Sequence, residues 1–198
     1  MRSILIFSFL LLNYSYAKTQ GLPFNTAGKI EMAEVIQLDS INNKSILYNN
    51  AIVWTEGFPS NETKITHIEN DPVAGKISCS FQFPVYIQAS VGVLKKINGM
   101  ITYDCTIEVK DFKYRYSFTN FIYHYYKQDR TYKYVDAGKT KKLEDFKASG
   151  WQKLWNKHRM ITATKLETDI KSLKETMQTV LPSPVKEEPK KKEVKWED

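Results

Sequence analysis

Apolar positions recur along this chain with two different periods, and the change of period marks its elements. Ile30, Met32, Ile36 and Leu38 share one parity, which predicts a half-buried strand over "KIEMAEVIQL", with Glu34 breaking the pattern. "DSINN" is turn and cap chemistry. In "KSILYNNAIVW" the spacing changes to that of a helix: Leu47, Ala51 and Trp54 recur on one face, with Tyr48 and Ile52 beside them. Asn42 or Asn43 is placed to cap its start and Gly57 to end it.

From Ser60 to about Tyr126 the period is two. "TKITHIE" is a weak strand, and "NDPVAG" is a turn. Ile77, Cys79, Phe81 and Phe83 then alternate with Ser78, Ser80 and Gln82. Ile101, Tyr103, Cys105, Ile107 and Val109 alternate with Thr102, Asp104, Thr106 and Glu108. Both runs predict antiparallel strands with one buried face. "KDFK" is the turn into "YRYSFTNFIYHYY", where Tyr114, Tyr116 and Phe118 oppose Arg115, Ser117 and Thr119. Past Asn120 the alternation fails. Phe121, Tyr123 and Tyr125 fall on the formerly polar parity while Ile122 and Tyr126 keep the other one apolar, so this half reads as covered on both sides or as exposed and sticky.

Residues 127–140 read as a polar connection. Leu143 and Phe146 suggest a short turn of helix before Gly150; Trp151, Leu154, Trp155 and His158 follow at helical spacing. Leu166, Ile170, Leu173, Met177 and Val180 continue as an apolar stripe until "LPSP". Residues 182–198 form a charged, Pro-containing tail with too little apolar surface to order itself.

The opening "MRSILIFSFLLLNYSYA" has a positive start, an apolar run too short to span a bilayer, and small residues at Ser15 and Ala17. It predicts a signal peptide over residues 1–17 and a mature chain exported to the periplasm or beyond. Residues 18–181 then form one α+β domain, with helices on one face of an antiparallel sheet. A composition of 42% hydrophobic residues supports a sizeable core. The net charge of +7 belongs mostly to residues 127–198, where acidic residues are interleaved with the cations. That pattern suits solvated helix and tail more than a phosphate groove.

Candidate chemistry is sparse. His67, His124 and His158 are isolated, with no metal-ligand spacing around them. There is no nucleophile elbow, and Cys79 and Cys105 lie on apolar strand faces that disfavour a thiolate. The sequence therefore assigns no catalytic, metal or cofactor residue, and the expectation is a protein that is not an enzyme. Nucleic acid is discounted because Tyr114, Tyr116 and Phe118 would point away from Arg115. Cys79 and Cys105 would face each other across a hairpin centred near residue 92, as a disulfide or as two free thiols. Phe121, Tyr123 and Tyr125 form a candidate interaction patch, to be covered by the chain's own C-terminal segment or by a partner. The open sheet face, with Ser78, Ser80, Gln82, Thr102, Thr106 and Ser117 among its residues, is the second candidate. Asn43 and Asn61 match the N-glycan acceptor pattern, and "DSI" at Asp39 a short O-glycosylation pattern.

The segments "GKIEMAEVIQL", "KSILYNNAIVW", "NDPVAGKISC" and "ITYDCTIEVKDFKYRYSFTNF" together resemble a family of exported bacterial proteins, domain of unknown function 4468. The resemblance runs over about residues 22–125, with a C-terminal helical region at about 141–181 fitting less specifically. It rests on Leu47, Tyr48, Trp54, Gly75 and the hairpin through Arg115 and Tyr116. It implies a TATA-binding-protein-like fold, ordered strand, helix, four strands, helix, and brings no activity. Phe112 departs from the small residue expected after Asp111, which argues against positive φ there and against a type I′ turn. The function expected is a non-enzymatic envelope module that binds an envelope protein or glycan. The rival reading is a periplasmic small-ligand-binding protein or hydrolase.

Overall fold

The structure is a computed structural model describing residues 21–38, 43–57, 62–87, 96–145 and 152–179. The leader at 1–17 and the tail at 182–198 lie outside these residues, as do Asp39, Asn42, Asn61, Phe146, Trp151 and Val180. Strand β1 (Met32–Gln37) is followed by helix α1 (Lys44–Gly57), then β2 (Lys64–Asp71), β3 (Lys76–Ile87), β4 (Lys96–Lys110), β5 (Lys113–Gln128), β6 (Tyr134–Lys142) and helix α2 (Gln152–Gln178). All strands join one antiparallel sheet in the order β1-β5-β4-β3-β2, and β6 also pairs with β5. β1 takes the first half of β5, from Lys113 to Phe118, and β6 takes the second, from Ile122 to Gln128.

The two period-two runs are β3 and β4, and their apolar parity is buried as expected: Ile77, Phe81, Ile101, Cys105 and Ile107 have no exposure. α1 and α2 close this face. Trp54 of α1 meets Phe81 edge-on at 5.8 Å. Leu166, Leu173 and Met177 of α2 are fully buried. Burying a large apolar side chain contributes about 1.5–3 kcal/mol, so these positions dominate the choice of face.

α1 starts at the predicted cap: Asn43 Oδ1 accepts from Ile46 N–H at 3.0 Å. A second cap comes from far along the chain, since Asp111 Oδ1 accepts from Lys44 N–H at 2.8 Å. Gly75, at φ 71°, fits because a Cβ there would stand 2.8 Å from the Val109 carbonyl oxygen. Asn50 of α1 donates to the Thr179 carbonyl at 2.7 Å, tying the end of α2 to α1.

Three expectations are corrected. The polar connection read over 127–140 contains a fifth strand of the run, β6. It sits at an edge and buries neither face along its length, so no apolar alternation marks it. Leu143 is buried just beyond β6 and not on a helix, and its N–H donates to the Phe121 carbonyl at 2.9 Å. Phe112 does adopt positive φ, at 63°. Asp111 does not, so the turn is still not type I′, which needs positive φ at both central residues.

Candidate binding surfaces

Tyr114, Tyr116 and Phe118 are buried, on the face opposite Arg115. They are therefore not available for stacking on bases. Arg115 lies 4.0 Å from Glu108 on the open face. The expected hydroxyl and amide residues line that face, and some of them are held by neighbouring side chains. Ser80 donates to Asp104 at 2.7 Å, Asn120 to the same carboxylate at 2.9 Å, and Thr102 Oγ1 lies 3.0 Å from His124 Nε2.

The aromatic patch is divided by the fold. Phe121 and Tyr123 are buried by the chain itself, so a docking surface made of these two rings is ruled out in this structure. His158 of α2 stacks on the Tyr123 ring at 4.7 Å, and Trp155 meets it edge-on at 5.7 Å. Tyr125 remains 38% exposed. His158 lies inside this stack, with no hydrogen-bond partner for Nδ1 among the described residues. Burial, aided by Lys157, pushes its imidazole pKa down to about 4.

Cys79 and Cys105 are direct cross-strand partners, as the hairpin count suggested, and both are free thiols. The Val109 N–H donates to Gly75 O, and the register runs unbroken from there, so the cysteines occupy a hydrogen-bonded pair. This is the wider of the two antiparallel pair types. Burial raises the Cys105 thiol well above its ordinary range.

Beside β1 lies an open groove of about 860 Å³. Its β1 wall carries Met32, Ala33 and Glu34; its α2 wall carries Ile170, Lys171 and Lys174; Tyr116 lines it from β5. Glu34 sits on the inward parity of β1, which is why it broke the apolar pattern. Its carboxylate accepts from the Tyr116 hydroxyl at 2.5 Å and pairs with Lys174 at 2.7 Å. Lys174 first, then Tyr116, hold its pKa below the ordinary carboxylate value. The Leu38 N–H donates to Phe112 O, so counting back along the register Ile36, Glu34 and Met32 bond to β5. Ala33, Val35 and Gln37 then turn their backbone groups toward the free edge.

A smaller pocket of about 310 Å³ opens where β4 begins and β5 ends. Lys96, Ile97 and Asn98 line it from β4, Tyr126, Lys127 and Gln128 from β5, and Tyr134 from β6.

Against known proteins, residues 33–124 match the domain of unknown function (DUF4468) with TBP-like fold. The chain is similar to that family over 92 of its 198 residues. It is similar to a TBP-like protein from Parabacteroides distasonis ATCC 8503, with a TM-score of 0.56 and 18% identity over 81% of this chain and 99% of that one. A DUF4468 family protein from Bacteroides ovatus ATCC 8483 aligns at TM-score 0.49 and 13% identity, over 77% and 89% of the two chains. At 18% identity the likeness to the Parabacteroides distasonis protein speaks for the fold alone. Comparison with curated proteins finds no match.

One buried cluster beneath the sheet has no forerunner in the sequence analysis. Asp169 of α2 is 2% exposed; it accepts from the Tyr103 hydroxyl at 2.7 Å and pairs with Lys165. Burial raises its pKa, while Lys165 and Tyr103 oppose that shift. The available signal was its place three residues after Leu166 and four before Leu173, on the stripe itself. It lines neither the groove nor the small pocket. Its role is to pin α2 to the centre of β4.

Among the described residues, no group of three or more His, Cys, Asp or Glu is placed to hold a metal ion. No described helix is long and apolar enough to cross a membrane.

Proposed function

We propose that this protein is exported and acts in the cell envelope as a non-enzymatic module. It binds an extended segment of a partner protein along β1. The reading rests on the groove of about 860 Å³ beside a strand edge whose outward backbone groups have no strand partner among the described residues. An added strand would take its main-chain hydrogen bonds from Ala33, Val35 and Gln37, and drop alternate apolar side chains over Met32, Tyr116 and Ile170. Its register would be set by the edge and its specificity by the groove. Export rests on the leader pattern of residues 1–17.

Photo-crosslinking from position 35 in the envelope fraction tests the reading. A crosslinked species of defined mass is expected in the parent protein and should vanish in Ala33→Pro. That change removes an outward N–H and leaves the β1–β5 bonds in place. An adduct that survives the proline, or no adduct at all, would overturn it. N-terminal sequencing of the envelope form should begin at Lys18; an intact Met1 would sink the export half.

A further inference from the structure

We propose that the pocket at the junction of β4, β5 and β6 is a binding site for an acidic oligosaccharide, separate from the β1 groove and independent of it. Three kinds of group converge there. Lys96 and Lys127 supply cations, Asn98 and Gln128 supply amides, and Tyr126 and Tyr134 supply half-buried rings.

The positive charge is only partly offset locally: Lys141 pairs with Asp145 at 3.7 Å, and across residues 127–142 the other five cations, Lys127, Arg130, Lys133, Lys139 and Lys142, are set against only Asp129 and Asp136. Both carboxylates are engaged within the hairpin. Asp129 Oδ1 accepts from the N–H groups of Thr131 and Lys133, at 2.8 and 2.9 Å, and from the Thr131 hydroxyl at 2.8 Å. Asp136 accepts from Gly138 N–H at 2.7 Å and lies 3.9 Å from His124. Neither Lys96 nor Lys127 has a carboxylate partner among the described residues.

The amide side is built as well. The Tyr123 hydroxyl, fixed in the core, lies 2.7 Å from Asn98 Oδ1 and 2.9 Å from its backbone oxygen. The Asn98 carbonyl is thereby occupied, and its NH₂ remains as a donor. The next residue, Gly99, makes this approach possible: a Cβ there would stand 2.5 Å from the Tyr123 ring. The donor is thus held by buried structure, not by a loop.

A pyranose bearing a carboxylate matches this set. Its C–H face lies against a tyrosine ring, its hydroxyls take amide donors, and its carboxylate takes an ammonium through charge-assisted bonds. A single-stranded nucleic acid also wants rings and cations. However, it stacks bases on open ring faces along a continuous groove. Here the pocket is short, and its two rings are half-buried.

Titration calorimetry of the full-length mature chain tests the site with trigalacturonate as the probe. Binding is expected, weakened roughly tenfold or more by Lys127→Gln, by Tyr134→Ala, and by methyl-esterifying the probe's carboxylates. Lys127 is exposed, so its variant should keep the parent melting curve. Ile170→Asp, in the β1 groove, should leave trigalacturonate binding unchanged whatever becomes of the partner-segment reading. Three results would overturn the site: no binding at millimolar probe, binding indifferent to Lys127→Gln, or equal affinity for an oligothymidylate of the same charge.

Discussion

The two halves of β5 have similar composition and opposite geometry. From Lys113 to Thr119 the even-numbered rings point inward, and Tyr114, Tyr116 and Phe118 are buried. From Phe121 onward the odd-numbered rings do so, and Phe121 and Tyr123 are buried. The switch is a β-bulge. Asp104 pairs with Thr119 and Thr102 with Ile122, so Tyr103 alone faces both Asn120 and Phe121. Asn120 is the extra residue and takes φ 56°. β4 keeps its parity throughout, with Ile101, Tyr103 and Cys105 all inward. An apparent loss of alternation is therefore two correct alternations joined by one added residue. The stretch does not bury both faces: Ile122 and His124 stay half-exposed on the open side.

The sharpest way to break this comparison is to change parity by removing a single residue. Deleting Ile122 turns Tyr123 toward water while Phe121 stays inward. The stack on His158 and the bond to Asn98 are then lost together. The expected result is no cooperative unfolding transition, monitored by circular dichroism in urea. A variant with a normal transition would show that the bulge does not set the inward face.

Next in size is Phe121→Ala. The ring is fully buried and stacks on Tyr103 at 5.7 Å. Its removal should cost about 3–5 kcal/mol, read from urea midpoints at constant m-value. A loss near zero would mean that the second half of β5 does not belong to the core.

Most of the sheet was legible because one-sided burial writes period two into the sequence, as in β3 and β4. α1 was legible to its cap because Asn43 and the Leu47, Ala51, Trp54 stripe are local signals. β6 was not, because an edge strand with little burial has no apolar parity to leave. The bulge was visible only as a failure of pattern. Its cause was Asn120, a residue tolerant of the left-handed region, at the break itself. Of the two surfaces, Tyr126 was noted only as an apolar position and Glu34 only as a fault in a strand. Both belong to places where separate elements meet, and such meetings leave no trace in local periodicity. Asp169 was missed for a related reason: a polar residue on a helix stripe becomes meaningful only once Tyr103 is brought 66 residues back to it.

Smaller effects sharpen the contrast further. His158 covers only the second half of β5, and its pKa falls to about 4 in the fold from an unperturbed 6.5. The unfolded chain therefore binds the proton more readily between those values. Stability should be lost as pH falls from about 6.5 towards 4, and no further on this account below that. The full shift corresponds to roughly 3 kcal/mol. His158→Phe keeps a ring over Tyr123 and removes the titration. Between pH 7 and pH 4.5 the variant should lose about 2–3 kcal/mol less than the parent. Asp169, whose pKa is shifted upward, is present in both proteins and drops out of the difference. Equal losses would mean that the imidazole is not buried in this stack.

Asn120 itself should give the smallest effect and the clearest test of its role. The position needs a residue that accepts positive φ, and its amide also donates to Asp104 at 2.9 Å on the open face. Glycine meets the first requirement and loses the second, so Asn120→Gly should shift stability by less than about 1 kcal/mol. Valine loses both, and its branched Cβ is strained in the left-handed region. Asn120→Val should therefore cost about 1–2 kcal/mol more than the glycine variant. Deleting Asn120 removes the bulge but leaves Phe121 opposite Tyr103, with every inward ring still inward. That protein should fold, unlike the one lacking Ile122. If the deletion proves as damaging as that of Ile122, the bulge is needed for the bend of β5 as well as for its parity. If valine is tolerated as well as glycine, the left-handed backbone at Asn120 is not what joins the two halves.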